Sequence, residues 1–179
     1  MFVSIDTVPD PAGDTADVLR EKAGDALVAL LQPLEQRALI LVTRWPDAVS
    51  ASPPPAAAET RRFERSETVV ADDPTEPVYA QLIWFDGPRS SHQSEMINRA
   101  SRERIWPAAR SVTGAVGALI ATAEDGALCT VAFLTSLQTV EDVQQAILSA
   151  ALLPWEDAAL LTGPDRVQLA RVLAHNFPG

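Results

Sequence analysis

The stretch 79–94, "YAQLIWFDGPRSSHQS", gathers most of the side chains that could do chemistry in this 179-residue chain. His92 carries an imidazole that titrates near neutral pH and can serve as a general base. Arg89, three residues earlier, can pair with a carboxylate or a phenolate. Strand alternation puts Tyr79 and Gln81 on one face and Trp84 on the other, so these three can line different walls. Gln81 is the most informative of them. A neutral amide buried in mid-strand costs about 1–3 kcal/mol unless hydrogen-bonded, so it meets a partner or lines a cavity. Each residue also has an ordinary reading: a solvated loop or cap for His92, a surface arginine for Arg89, and core or interface packing for Tyr79 and Trp84. Trp45 and Trp155 could cap a cavity mouth, although Trp155, just after Pro154, is explained more simply by closure of a helix end onto a sheet.

Other chemistries lack their usual groups. The sequence holds no G-x-S-x-G elbow, P-loop, G-x-G-x-x-G, H-E-x-x-H or cysteine cluster. Acidic pairs such as Glu124-Asp125 and Glu141-Asp142 fall at turns or helix starts, where solvation and capping account for them. The single Cys129 lies in an apolar run and reads as a buried structural thiol. No metal and no cofactor is expected. Fourteen Lys and Arg against 24 Asp and Glu give a formal charge of -10, which repels nucleic-acid phosphates and anionic lipid. Nucleic acid and membrane are therefore not expected partners. The N-terminus lacks a basic region followed by an apolar one, and no window approaches the roughly 18 apolar residues of a membrane span, so the expected location is cytoplasmic.

The elements that must position these residues read as follows. Phe2 to Val8 is a short strand. A helix opens at Asp14 or Thr15, carries Leu19, Ala23, Ala26, Leu27 and Leu30 as its apolar stripe, and ends near Pro33. The run from Ala38 into Trp45 is a strand buried on both faces. Pro46 to Thr60, with three consecutive prolines, is an extended connection with a short helix beginning near Ala56. Arg62 to Val70 is a strand whose charges make it an edge or exposed on one face. In the second half, Val78 to Phe85 is a strand, Ser94 to Val112 a helix stopped by Gly114, and Ala115 to Thr122 with Ala127 to Leu134 a hairpin. Thr139 opens a further helix as a capping-box variant with Asp142, and Arg166 to Leu173 is the last strand.

The second half is thus β-α-β-β-α-β, the split ferredoxin-like plan. The first half reads as the same plan with one hairpin strand missing and the second helix eroded. "ALILVTRW" from Ala38 against "ALCTVAFL" from Ala127 supports an internal duplication. This divides the chain into residues 1–73 as a degenerate unit, 74–77 as a linker and 78–179 as a complete unit.

With "WP" late in its first helix, glycine at the helix end, an apolar hairpin and a closing "GPDR" strand, the second half resembles the dimeric α/β-barrel superfamily. Within it the pattern is most similar to the antibiotic-biosynthesis-monooxygenase-like proteins. The resemblance implies an α+β fold in which tandem ferredoxin-like units, the first degenerate, pair their sheets into a dimeric-type α/β barrel. It implies a ligand cavity between sheet and helices for an apolar or aromatic small molecule, and possible activity as a cofactor-free monooxygenase or cyclase of secondary metabolism. His92 would be the base, with Tyr79, Gln81, Trp84 and Arg89 as ligand-binding residues. Haem chemistry is disfavoured, because His92 and His175 lie in a loop and at the tail. The alternative is a non-catalytic protein of the same fold, acting in self-association or as a regulatory ligand-binding module. Trp106 falls opposite the helix's apolar stripe and next to the kink expected at Pro107, which marks it as an exposed contact for the other unit or a second chain.

Overall fold

The computed structural model describes residues 1–9, 11–51, 58–72 and 75–177. The expected extended stretch at Pro53 to Pro55 and the helix start near Ala56 lie outside the described residues. Along the chain come β1 (Phe2–Pro9), α1 (Thr15–Ala23), a 3-10 turn (Gly24–Ala26), β2 (Leu27–Pro33), β3 (Ala38–Trp45), β4 (Glu59–Phe63) and β5 (Arg65–Val70). Then follow β6 (Tyr79–Phe85), α2 (Ser91–Ala100), a π-helical turn (Ser101–Ile105), α3 (Trp106–Arg110), β7 (Ala115–Thr122), β8 (Leu128–Leu134), α4 (Leu137–Ser149) and β9 (Arg166–His175).

The strands form one antiparallel sheet ordered β4-β1-β3-β2-β9-β6-β8-β7-β5. Each half keeps the 4-1-3-2 strand order of a ferredoxin-like unit, and pairing of β2 with β9 joins the halves. Glu64 alone separates β4 from β5, yet β4 pairs with β1 at one end of the sheet and β5 with β7 at the other. One segment thus pairs with both ends of the sheet, which closes the sheet into a barrel through the chain at Glu64. Glu64 also fastens the closure, since its carboxylate accepts the backbone N–H of Glu124 in the β7–β8 turn at 2.9 Å. β3 and β8, the two strands that carry the repeated sequence, occupy the same third position in their units.

Three expectations are corrected. The predicted first helix stops at Ala23, where Gly24 turns the chain with φ 50°, and Leu27–Pro33 is strand β2 rather than the helix end. The apolar run "ALVALL" fits a buried helix or a strand buried on both faces, and pairing with both β3 and β9 decides for the strand. The first unit's hairpin is thus complete, and among the described residues no helix stands between β3 and β4. The α4 cap is Ser136, whose hydroxyl accepts the Thr139 N–H at 3.0 Å, not Thr139 itself. Finally, Trp106 is half-buried and packs with Ala109, Leu134, Val140 and Val143, facing the sheet rather than solvent. The π turn supplies the reason. One extra residue in the turn rotates everything after it by about 100° and brings Trp106 round to the inner face. Pro107 then lies in the first turn of α3, where its missing N–H costs little.

Apolar side chains fill the barrel, among them Val3, Ile5, Leu31, Leu82, Val131 and Phe133. Outside it, α1 covers Val8, Leu30, Leu39 and Leu41. α3 and α4 cover the opposite outer face at Ala115 and Leu134.

Candidate functional site

On β6 the side chains alternate as the sequence predicts. Ala80, Leu82 and Trp84 join the barrel core, while Gln81 pairs across with Ala132 and Leu169 on the helix-covered face. Trp84 is 4% exposed and fully engaged. Its Nε1 donates to Gln168 Oε1 at 3.2 Å, the Arg166 guanidinium stands 4.6 Å from its ring centroid, and the Phe63 ring lies 6.3 Å away. Gln81 is also 4% exposed, but its amide has no hydrogen-bond partner among the described residues. Its polar atoms are not fully sealed from solvent. Tyr79 is half-buried at the start of β6.

Arg89 is not a surface residue. Its side chain is 7% exposed, with the guanidinium 3.7 Å from Asp165, 5.3 Å over the Phe85 ring and donating to the Gly126 carbonyl at 3.4 Å. Those contacts tie the loop after β6 to the β7–β8 turn and to the start of β9. His92 stands exposed in the first turn of α2, without a partner among the described residues. The crevice between α2 and the sheet is lined by Phe85, Arg89, Ser94, Ile97, Asn98 and Leu128, among others, and includes neither His92 nor Gln81. It measures about 10 Å³, the space of roughly one water.

The segment between α4 and β9 is fastened against the helices. Arg104, in the π turn, aims Nε at both carboxylate oxygens of Glu156 at 2.9 and 2.8 Å, and Glu156 also accepts the Leu153 N–H at 2.6 Å. The two side chains are 11% and 0% exposed. Beside them the Arg99 guanidinium sits 4.0 Å from the Trp155 ring centroid, so Trp155 closes this segment onto α2. Trp45 is not among the residues lining the crevice between α2 and the sheet, and its Nε1 donates to Thr43 Oγ1 at 3.0 Å.

A larger crevice opens at one mouth of the barrel, where sequence reasoning placed nothing. It measures about 70 Å³ and is lined by Asp25, Ala26, Leu27, Val28, Arg44, Thr68, Asn176 and Phe177. Arg44 lies across from core residue Val3, which makes it an inward-facing charge, and its Nη1 donates to Thr68 Oγ1 at 2.8 Å across the mouth. Phe177 forms the floor, its ring centroid 4.3 Å from that of Phe133. Gly117 makes room for it, because a Cβ there would come within 2.7 Å of Phe177 and 2.5 Å of the Val69 carbonyl. The available signal was parity: Ile40, Val42 and Arg44 share one face of β3, and a charge on the inner face of a buried strand calls for an explanation.

Burial pushes the Cys129 thiol well above its ordinary value, an effect that nearby Arg166 only partly offsets. Among the described residues no group of three His, Cys, Asp or Glu could hold a metal ion, and no helix is long and apolar enough to cross a membrane.

Two tandem ferredoxin-like units, joined edge to edge and closed into one barrel within a single chain, define the class of fold. Solved structures share it from end to end. A heme-degrading enzyme from Listeria monocytogenes superposes with a TM-score of 0.59 at 10% identity, over 96% of this chain and 99% of that one. A monooxygenase-like protein from Listeria innocua gives 0.57 at 9% identity, over 96% and 94%. A ferredoxin-fold protein related to antibiotic biosynthesis monooxygenases, from Listeria monocytogenes, gives 0.51 at 10% identity, over 96% and 94%. The chain therefore shares the overall fold of these structures. No family model and no curated protein matches the sequence.

Proposed function

We propose that this chain is a non-catalytic, small-molecule-binding module built on the monooxygenase-like fold, not an oxygenase or cyclase. One observation carries the reading: the layer between sheet and helices is occupied by the chain's own side chains. Trp106, Leu134, Val140, Val143 and Leu169 fill it, and the crevice that remains is about 10 Å³. Sites that enclose an organic ligand run to about 300–1,000 Å³. An aromatic polyketide or a haem is larger than either crevice. The exposed setting of His92, apart from Gln81, supports the same reading, since a general base must come within hydrogen-bond reach of the proton it takes.

The test is oxygen uptake with a tricyclic phenol of the anthrone type. The expected rate equals that of the protein-free control. Saturable turnover that disappears in His92→Ala would overturn the reading and restore His92 as a base, with Tyr79, Gln81, Trp84 and Arg89 to be re-examined as walls.

A further inference from the structure

We propose that the barrel mouth is a binding site for a short-chain carboxylate of two or three carbons, held by Arg44 with help from Thr68 and Asn176. The proposal names the ligand class of the binding module described above and rests on that reading.

Charge carries the first step. Arg61, Arg89 and Arg104 each face a carboxylate, at Asp86, Asp165 and Glu156. Arg44 does not. Its partner among the described residues is the neutral Thr68 hydroxyl, and no described carboxylate lies within 4.0 Å. Arg166, inward beside Trp84, also lacks a described carboxylate, but it is exposed and its guanidinium covers the Trp84 ring, whereas Arg44 is half-buried at the opening. A guanidinium has five N–H donors in a planar fork, so most of this one stays available to accept a carboxylate side-on. Half-buried at the mouth, the charge is also less well solvated than a surface arginine, which strengthens its pull on an anion.

Size and wall chemistry narrow the ligand. The opening of about 70 Å³ compares with roughly 10–15 Å³ for one water, which leaves space for about five to seven heavy atoms. Pyruvate fits in that range and acetate fits with room to spare. Val28 and Phe177, both part of the barrel core, supply apolar wall for a methyl group in the opening that Arg44, Thr68 and Asn176 also line. Asp25 lines the same opening without reaching Arg44, and its negative charge opposes an anion there. Asp25 therefore weakens the site and offers a variant that should improve it.

The experiment follows amide chemical shifts of the full chain while sodium acetate, sodium pyruvate or sodium octanoate is added at pH 7 and constant ionic strength. Saturable shifts centred on Thr68, Val28 and Asn176 are expected for acetate and pyruvate, with octanoate weaker because it exceeds the opening. Arg44→Gln is expected to weaken binding by about tenfold or more, Arg44→Lys to fall between, and Asp25→Asn to tighten it by a few-fold. Should Arg44→Gln fold poorly, Arg44→Lys and Asp25→Asn still shift affinity in opposite directions. Shifts that rise linearly without saturation, or equal affinity in wild type and Arg44→Lys, would overturn the site. Carboxylate binding can fail while oxygen uptake stays at background, which removes this ligand only. His92-dependent oxygen uptake removes the module reading instead, whatever acetate does.

Discussion

On the outer face of β6 and β8, α3 and α4 bury Leu134, Val140 and Val143. On the matching face of β1 and β3, beyond Val8, Leu39 and Leu41 under α1, the buried residues are Ser4, Asp6 and Thr43. They form a relay. Thr60 Oγ1 donates to Asp6 at 2.6 Å, Ser4 Oγ donates to the other carboxylate oxygen at 3.0 Å, and the Ser4 and Thr43 hydroxyls lie 2.9 Å apart, with the Trp45 indole donating to Thr43. A helix brings its own satisfied backbone and an apolar stripe, so the sheet beneath it can be apolar. Next to the strand end where the first unit has no helix among the described residues, the sheet satisfies its buried polar groups with one another instead. The strand plan repeats because both units share one barrel interior, whereas each outer face answers only to its own cover.

The strongest way to break the second unit's layer is Glu156→Ala. It leaves the nearly buried Arg104 without its charge partner and the Leu153 N–H without its acceptor, and urea denaturation should show a loss of about 3–5 kcal/mol. In the first unit, Asp6→Ala removes the acceptor shared by Thr60 and Ser4. The expected loss is about 1–3 kcal/mol, and a neutral result would mean that the relay is not the cover of this face. Gln81→Leu sharpens the contrast. The amide lacks a partner among the described residues, so the change should leave stability within about 1 kcal/mol or improve it, whereas a large loss would reveal a partner for Gln81. The smallest effect concerns pH. Because burial raises the Cys129 thiol above its unfolded value, its contribution is fully present below that value, about 8.5, and is lost as pH rises from there toward the folded value. Denaturation midpoints should fall above about pH 9, and Cys129→Ala should flatten that slope.

Where local pattern and fold agree, the elements could be read directly. β3, β7 and β8 are apolar runs of strand length, and the "AEDG" turn between the last two marks their hairpin. Misreadings arose where local pattern supports two answers. "ALVALL" has no period of its own, and only the neighbours on either side make it β2. A helical wheel assumes unbroken 3.6-residue periodicity, so it could not foresee the π turn that carries Trp106 inward. Tyr79, Gln81 and Trp84 could be assigned to faces by parity, but parity does not say that Trp84 is engaged by Gln168 and Arg166 while Gln81 has no partner among the described residues.

By itself the sequence determined the second ferredoxin-like unit, the repeat of its third strand in the first half, and the acidic charge, because these depend on spacing and composition within short windows. Only the tertiary structure decided that β4 and β5 reach opposite ends of the sheet and close it, that Arg89 is spent on a distant carboxylate, and that Arg44 has none among the described residues. Those outcomes depend on which residues, far apart along the chain, come within a few ångströms of one another. Hydrogen bonds and ion pairs act only at that range, so a charged side chain has no settled role until the barrel has closed around it.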